Sequence, residues 1–308
     1  MLDEIFFFLP DVVKEEIQYL PSFFLEELEE IRIRVLKPVE LIAKGSPKFL
    51  SYRTTYEDCL TILNKMSQYS IYTLEEELKR GYITISGGHR IGLAGKVITE
   101  SGKVKIIRNV TSFNIRIARE KIGSANPYLP FVYQNRWLNT LIFGPPQTGK
   151  TTLLRDFARL ISTGTKNIPA QKVGIVDERS EIAGSVKGIP QHHFGIRVDV
   201  LDGCPKAEGM MMMIRSMSPN VIVADEIGRR EDVDALMEAI HSGVQIFVTA
   251  HGECLEDLLL RPTLSDLFKE QIFDRYIQLS CQNGPGTVLK IFDQNRQDLY
   301  LKASVKPS

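Results

Sequence analysis

The chain has 308 residues, with 38 basic and 38 acidic side chains. That balance gives no global attraction to nucleic acid or to an anionic membrane. The leading apolar run, Ile5–Leu9, is too short and too acidic in its flank for a secretion signal or a membrane span, so any membrane association is expected to be peripheral. Cys59, Cys204, Cys254 and Cys281 show no metal-ligand or paired spacing and read as reduced thiols of a cytoplasmic protein.

Residues 1–35 read as helical, with Glu26, Glu27, Glu29 and Glu30 as a solvated face opposed by Leu and Phe. Strand-like runs follow at Val39–Ala43 and Lys48–Ser51, then helices over Tyr56–Gln68 and Tyr72–Arg80, the second closed by Gly81 as its C′ residue. From Tyr82 the apolar residues alternate: Ile83 and Ile85, a run over Arg90–Thr99, Val104–Ile107, then Phe113, Ile115 and Ile117. Gly87-Gly88 and Glu100–Lys103 supply the turns. Residues 1–119 therefore predict a small α+β domain, and 120–136, with Gly123, Pro127 and Pro130, a linker. From 137 to 308, strand, loop and helix alternate as in parallel βαβ units, giving an α/β core.

Asn139–Phe143 is a short buried-strand pattern leading into Gly144-Pro145-Pro146-Gln147-Thr148-Gly149-Lys150-Thr151, and Thr152 continues as an amphipathic helix. This is the phosphate-loop spacing GxxxxGK[ST]. Gly144 and Gly149 permit the backbone angles that turn successive N–H groups inward at a helix N-terminus, forming an anion nest. Lys150 supplies a charge for β/γ-phosphates, and the Thr151 hydroxyl is suited to Mg²⁺. ATP and Mg²⁺ are the expected ligands.

Such a loop needs a metal-side carboxylate and a group that orients water. Val221–Ala224 ends in Asp225 and Glu226, expected to hold Mg²⁺ and to take or polarise the attacking water, respectively. Val173–Val176 also ends in acids, Asp177 and Glu178. It either lies between the other two strands or is their outer neighbour, and Glu178 either assists water activation or caps a following helix. Ile246–Ala250 predicts a third parallel strand, with His251 at its end either sensing the γ-phosphate or serving structure.

The order of phosphate loop, VDERSEI, MIRSMSPNVIVADEIG and HSGVQIFVTAHG resembles the secretion ATPases of type II and type IV systems and type IV pili. There these segments correspond to a Walker A, an aspartate box, a Walker B and a histidine box. Gly87–Gly95, Ser112–Ala118 and Asp199–Gly209 extend the likeness over nearly the whole chain to the stage III AA sporulation proteins of endospore-forming bacteria. The resemblance implies a RecA-like core, a hexamer, and a mother-cell ATPase at the inner face of a membrane, working with membrane proteins of a transenvelope channel. Two departures stand out: Asp225-Glu226 replaces the Gly-Glu of many secretion ATPases, and Arg229 and Arg230 do not match the usual arginine position.

Among Lys103, Lys105, Arg108, Arg116, Arg119 and Lys121, the arginines at 116 and 119 are the candidates for neutralising phosphate charge if the first domain packs over a neighbouring active site, against ordinary outward-facing strand residues. Four successive methionines, Met210–Met213, predict a helix buried on two sides or facing a neighbouring subunit. Asn283–Gly286 reads as the turn of a terminal hairpin without chemistry of its own. The function expected is Mg-dependent ATP hydrolysis by an assembly motor. The alternatives are a nucleic-acid-stimulated ATPase of the same core, and a nucleotide-gated scaffold with little turnover.

Overall fold

The computed structural model describes residues 2–67 and 74–300, and the chain divides between Arg119 and Glu120 into two compact units. The first unit opens with α1 (Asp3–Phe6), α2 (Asp11–Gln18) and α3 (Ser22–Glu27), then β1 (Leu28–Arg34), β2 (Pro38–Ala43) and β3 (Ser46–Arg53). It continues with α4 (Tyr56–Met66), α5 (Glu75–Arg80), β4 (Tyr82–Thr84), β5 (Arg90–Glu100) and β6 (Lys103–Arg116). Its antiparallel sheet runs β3-β2-β1-β6-β5-β4. Ile31 and Ile33, two apart on one face, pack with Val13, Ile17 and Ile62 into the core of this unit.

Leu28–Arg34 is thus a strand, where the sequence pattern suggests helix. Its alternation of Ile31 and Ile33 with polar residues, paired on both edges, outweighs the helix-like glutamate spacing. α5 does end at Gly81, which adopts φ +80° as a left-handed cap.

Residues 120–136 cluster with the second unit, where they form a short 3₁₀ turn, α6 (Leu129–Val132) and the start of a two-strand ribbon, β7 (Tyr133–Gln134) with β8 (Arg136–Trp137). Glu120 accepts from the His193 amide at 2.6 Å and contacts the His192 and His193 rings, tying this segment to the 183–197 loop.

The second unit then follows in order: β9 (Thr140–Gly144), α7 (Lys150–Thr163), β10 (Val173–Asp177), β11 (Val198–Asp202), α8 (Lys206–Ser216) and β12 (Val221–Ala224). α9 (Arg230–His241), β13 (Gln245–His251), α10 (Leu255–Leu259), α11 (Ser265–Lys269), β14 (Arg275–Ser280) and β15 (Thr287–Asp293) complete it. Its sheet runs β11-β10-β12-β13-β9-β14-β15, parallel except for the last pair. The strand between β9 and β12 is therefore β13, and β10 is the outer neighbour of β12.

Central strands buried on both faces explain their unbroken apolar runs. Ile142, Val223 and Phe247 point toward Leu154, Phe157 and Ile161 of α7. Their neighbours Leu141, Phe143, Ile222, Ile246 and Val248 point toward α8 and α9. Met210 and Met213 join that second core while Met212 is exposed, so within this chain α8 is buried on one side. Among the described residues, no helix is long and apolar enough to cross a membrane.

Candidate nucleotide site

The parallel strands β9, β12 and β13 end at one edge of the sheet, where their following loops line a cleft of about 420 Å³. Lys150, Thr151, Asp225, Glu226 and His251 line it together with Arg179, Glu181 and Pro285. The sequence-predicted residues of three separate strands are thus brought into one place, in a volume suited to a small ligand.

The loop from β9 to α7 has little freedom. Gly149 sits at φ +87°, and a Cβ on Gly144 would fall 2.7 Å from the Leu279 carbonyl oxygen. Gln147 also takes a positive φ, and the Thr148 hydroxyl donates to the Pro145 carbonyl at 2.8 Å. The Lys150 ammonium donates to the carbonyls of Gly144 at 2.9 Å and Pro145 at 2.8 Å, and to His251 Nδ1 at 3.2 Å. Burial pulls its pKa below the ordinary lysine value, opposed by the nearby charges of Asp225 and Glu226. Thr152 borders the same cleft two residues past the helix start at Lys150.

Asp225 and Glu226 are consecutive, and in an extended strand they would point to opposite faces. Both line the cleft because Glu226 leaves the strand with φ +56°, an uncommon backbone for a residue with a Cβ. Its restraints are visible. The Glu226 amide donates to Thr249 Oγ1 at 2.8 Å, and the Ile227 amide to the Thr249 carbonyl at 2.8 Å. The Thr249 hydroxyl in turn donates to Asp225 Oδ1, and the Thr151 hydroxyl to Asp225 Oδ2 at 2.5 Å.

The Glu226 carboxylate is held at both oxygens, by Arg179 Nη1 on one and His251 Nε2 at 2.8 Å on the other. Because an ammonium only donates, His251 Nδ1 accepts from Lys150 and its Nε2–H donates to Glu226. His251 therefore links the two charged groups by one tautomer.

Glu178 lies beside this cleft, paired with the buried Lys206 ammonium at the start of α8. Burial alone would push its carboxyl up, but the Lys206 hydrogen bond and charge hold it below the usual range. No helix follows it directly, so it caps none; the chain passes through a loop to β11. That loop is pinned by Asp177, which accepts amides of Glu181 at 2.8 Å, Ile182 at 3.0 Å and Ala183 at 2.8 Å. Arg116 and Arg119 belong to the first unit, where the Arg119 guanidinium donates to the carbonyls of Leu25 and Leu28.

Sequence reasoning missed the part played by Thr249, Arg179 and the 281–286 turn. Thr249 stands two residues before His251 and so on the same face of β13, a signal available from strand period alone. Asn283–Gly286, expected to lack a part in the site, packs on the phosphate loop: the Gly286 amide donates to the Thr148 carbonyl at 2.8 Å.

The pattern that defines the family Sporulation stage III, protein AA, matches residues 11–299. The chain belongs to that family. Over 305 residues it is 60% identical to Stage III sporulation protein AA of Bacillus subtilis (strain 168), covering 99% of each chain. Its fold is similar to that of the ATPase DotB of Legionella pneumophila, with TM-score 0.60 and 15% identity over 88% of this chain and 76% of DotB. It is also similar to the pilus retraction motor PilT, solved with bound ADP, with TM-score 0.59 and 17% identity over 87% of this chain and 76% of PilT. At such identities the likeness is one of fold: an α/β core of the RecA-like P-loop type with a smaller α+β unit before it.

Proposed function

We propose that this chain is a Mg-dependent ATPase that powers assembly or operation of a transenvelope channel during sporulation, acting as a homo-oligomer with membrane proteins of that complex. The observation that carries the reading is the shared cleft: the Lys150 ammonium, the Thr151 hydroxyl and the carboxylates of Asp225 and Glu226 all line it. The loop Gly144–Thr151 at the start of α7, together with Lys150, suits a polyphosphate. The Thr151 hydroxyl and Asp225, 2.5 Å apart, form an oxygen pair of the kind a divalent cation takes.

In this reading the chain's own groups divide the work. The loop amides, with Pro145, Pro146, Gln147, Thr148 and Thr152 around them, bind and orient the phosphates, and Lys150 neutralises their charge. When bound, Mg²⁺ supplies charge neutralisation on the phosphate oxygens. Glu226, once released from Arg179, accepts the proton of an attacking water at a carboxylate oxygen. His251, joined to both Lys150 and Glu226, reports phosphate contacts at one to the other. Glu178, engaged by Lys206, assists more weakly. Arg116 is favoured over Arg119 as the arginine offered to the phosphates of a neighbouring copy, because Arg119 already serves two carbonyls.

The test is phosphate release by purified wild type, Lys150→Ala and Glu226→Gln, with and without single-stranded DNA and the membrane-complex components. Turnover lost in both variants and raised by the complex supports the reading. Strong stimulation by DNA alone would replace it with a nucleic-acid-directed ATPase, and ATP binding with no turnover under any condition with a scaffold.

A further inference from the structure

The cleft has two unlike flanks. Asp225, Glu226, His251 and Arg179 stand on the side of β12 and β13, while Pro285 stands on the side of β14, with Pro146 and Gln147 of the loop also in the lining. The turn from β14 to β15, Cys281–Gly286, carries no charged side chain. It is fastened to the phosphate loop. Besides the Gly286–Thr148 bond, the Cys281 thiol donates to the Gln147 carbonyl at 3.5 Å. A Cβ on Gly149 would fall 2.9 Å from the Gly286 nitrogen, so the two backbones touch.

The turn is also braced within itself. The Gly284 amide donates to the Cys281 carbonyl at 3.1 Å, and the Thr287 hydroxyl to the Gly284 carbonyl at 2.8 Å. Gly284 and Gly286 take φ +94° and +92°, and a Cβ on either would meet nothing within 4 Å. Their peptide faces, beside the Pro285 ring, stay open to an approaching group.

We propose that the Cys281–Gly286 turn is the nucleoside-side wall of the cleft, seating the base and ribose while the opposite flank seats the terminal phosphates and the divalent ion. This deepens the ATPase reading and rests on it. Polarity sets the direction of the ligand. The cation and terminal phosphates belong with the hydroxyl–carboxylate pair, so the uncharged nucleoside extends toward the flank that lacks charge. There a proline ring and bare peptide planes offer flat contact to a base, on a support that is fixed before the ligand arrives.

The test is calorimetric titration of the full chain with Mg-ADP and with Mg-tripolyphosphate, which has no nucleoside, for wild type, Pro285→Ala and Pro285→Asp. Neither substitution removes a hydrogen bond of the turn, and thermal melts without ligand check the fold of each. Expected in Pro285→Ala is tripolyphosphate affinity within about twofold of wild type with ADP weakened about fivefold, and in Pro285→Asp a loss of ADP affinity at least about fivefold greater than the loss for tripolyphosphate. An unchanged ADP affinity in folded Pro285→Ala, or an equal loss for both ligands, overturns the wall. A wild type that binds neither ligand overturns the ATPase reading instead.

Discussion

Replacing Thr249 by Val tests whether the backbone turn at Glu226 is held as described. The substitution keeps the side-chain shape and removes one hydroxyl that makes two bonds, accepting the Glu226 amide at 2.8 Å and donating to Asp225. A neutral hydrogen bond contributes about 0.5–1.5 kcal/mol and one to a charged group about 1.5–3 kcal/mol, so the loss is about 2–4.5 kcal/mol. That is a large part of the stability of an ordinary domain. The released amide belongs to a residue at φ +56°, a backbone costing about 1–2 kcal/mol when unsupported. Glu226 should then leave its place, and kcat should fall about 10–100-fold. The phosphate loop is untouched, so KM for ATP should stay within about threefold. Thr249→Ser restores the hydroxyl and should restore kcat. Steady-state phosphate release and urea unfolding of the three proteins decide the matter. A Thr249→Val enzyme with wild-type kcat, or a Ser variant as slow as Val, would refute the reasoning.

Glu226→Gln should bind ATP as wild type does and lose turnover, whereas Glu178→Gln, whose carboxylate is already engaged by Lys206, should lose severalfold at most; equal losses in single-turnover assays would sink that ranking. Asp177 makes a prediction in pH. Burial pushes its carboxyl up to about 6, against the opposing pull of three amides. With the folded pKa raised, its contribution is fully present below the unfolded value near 3.9 and is lost as pH rises through about 6. The whole effect is about 3 kcal/mol, of which about 1.4 falls between pH 5 and 7.5. Asp177→Asn lacks this titration, so the stability gap between variant and wild type, followed by urea unfolding, should shift in the variant's favour by that amount over the same interval. A gap that stays constant would show that the amides hold the carboxylate ionised throughout.

The site was legible where its chemistry is local. The phosphate loop needs only a strand, eight residues and a helix in sequence, and the acidic strand ends announce themselves as apolar runs broken by carboxylates. Which strand lies beside which was not legible, since β10 and β13 have similar patterns and only their pairing places β13 between β9 and β12. The left-handed backbone of Glu226 was hidden as well, because no glycine marks it; its supports come from Thr249 and Arg179, 23 and 47 residues away. The turn against the phosphate loop joins residues 138 apart in Thr148 and Gly286, a contact that neither segment's sequence encodes alone. In the first unit, Leu28–Arg34 misled because glutamates spaced for a helix stood over a two-residue alternation that the sheet satisfied.

The central claim is that Lys150, Thr151, Asp225 and Glu226 serve one Mg-triphosphate. Calorimetric titration of Glu226→Gln with ATP, with and without Mg²⁺ and again with Asp225→Ala added, tests it most directly. Mg²⁺ should tighten binding at least about tenfold, and the added Asp225→Ala should abolish that gain. ATP affinity indifferent to Mg²⁺, or a full Mg²⁺ effect surviving without the Asp225 carboxylate, would contradict the account.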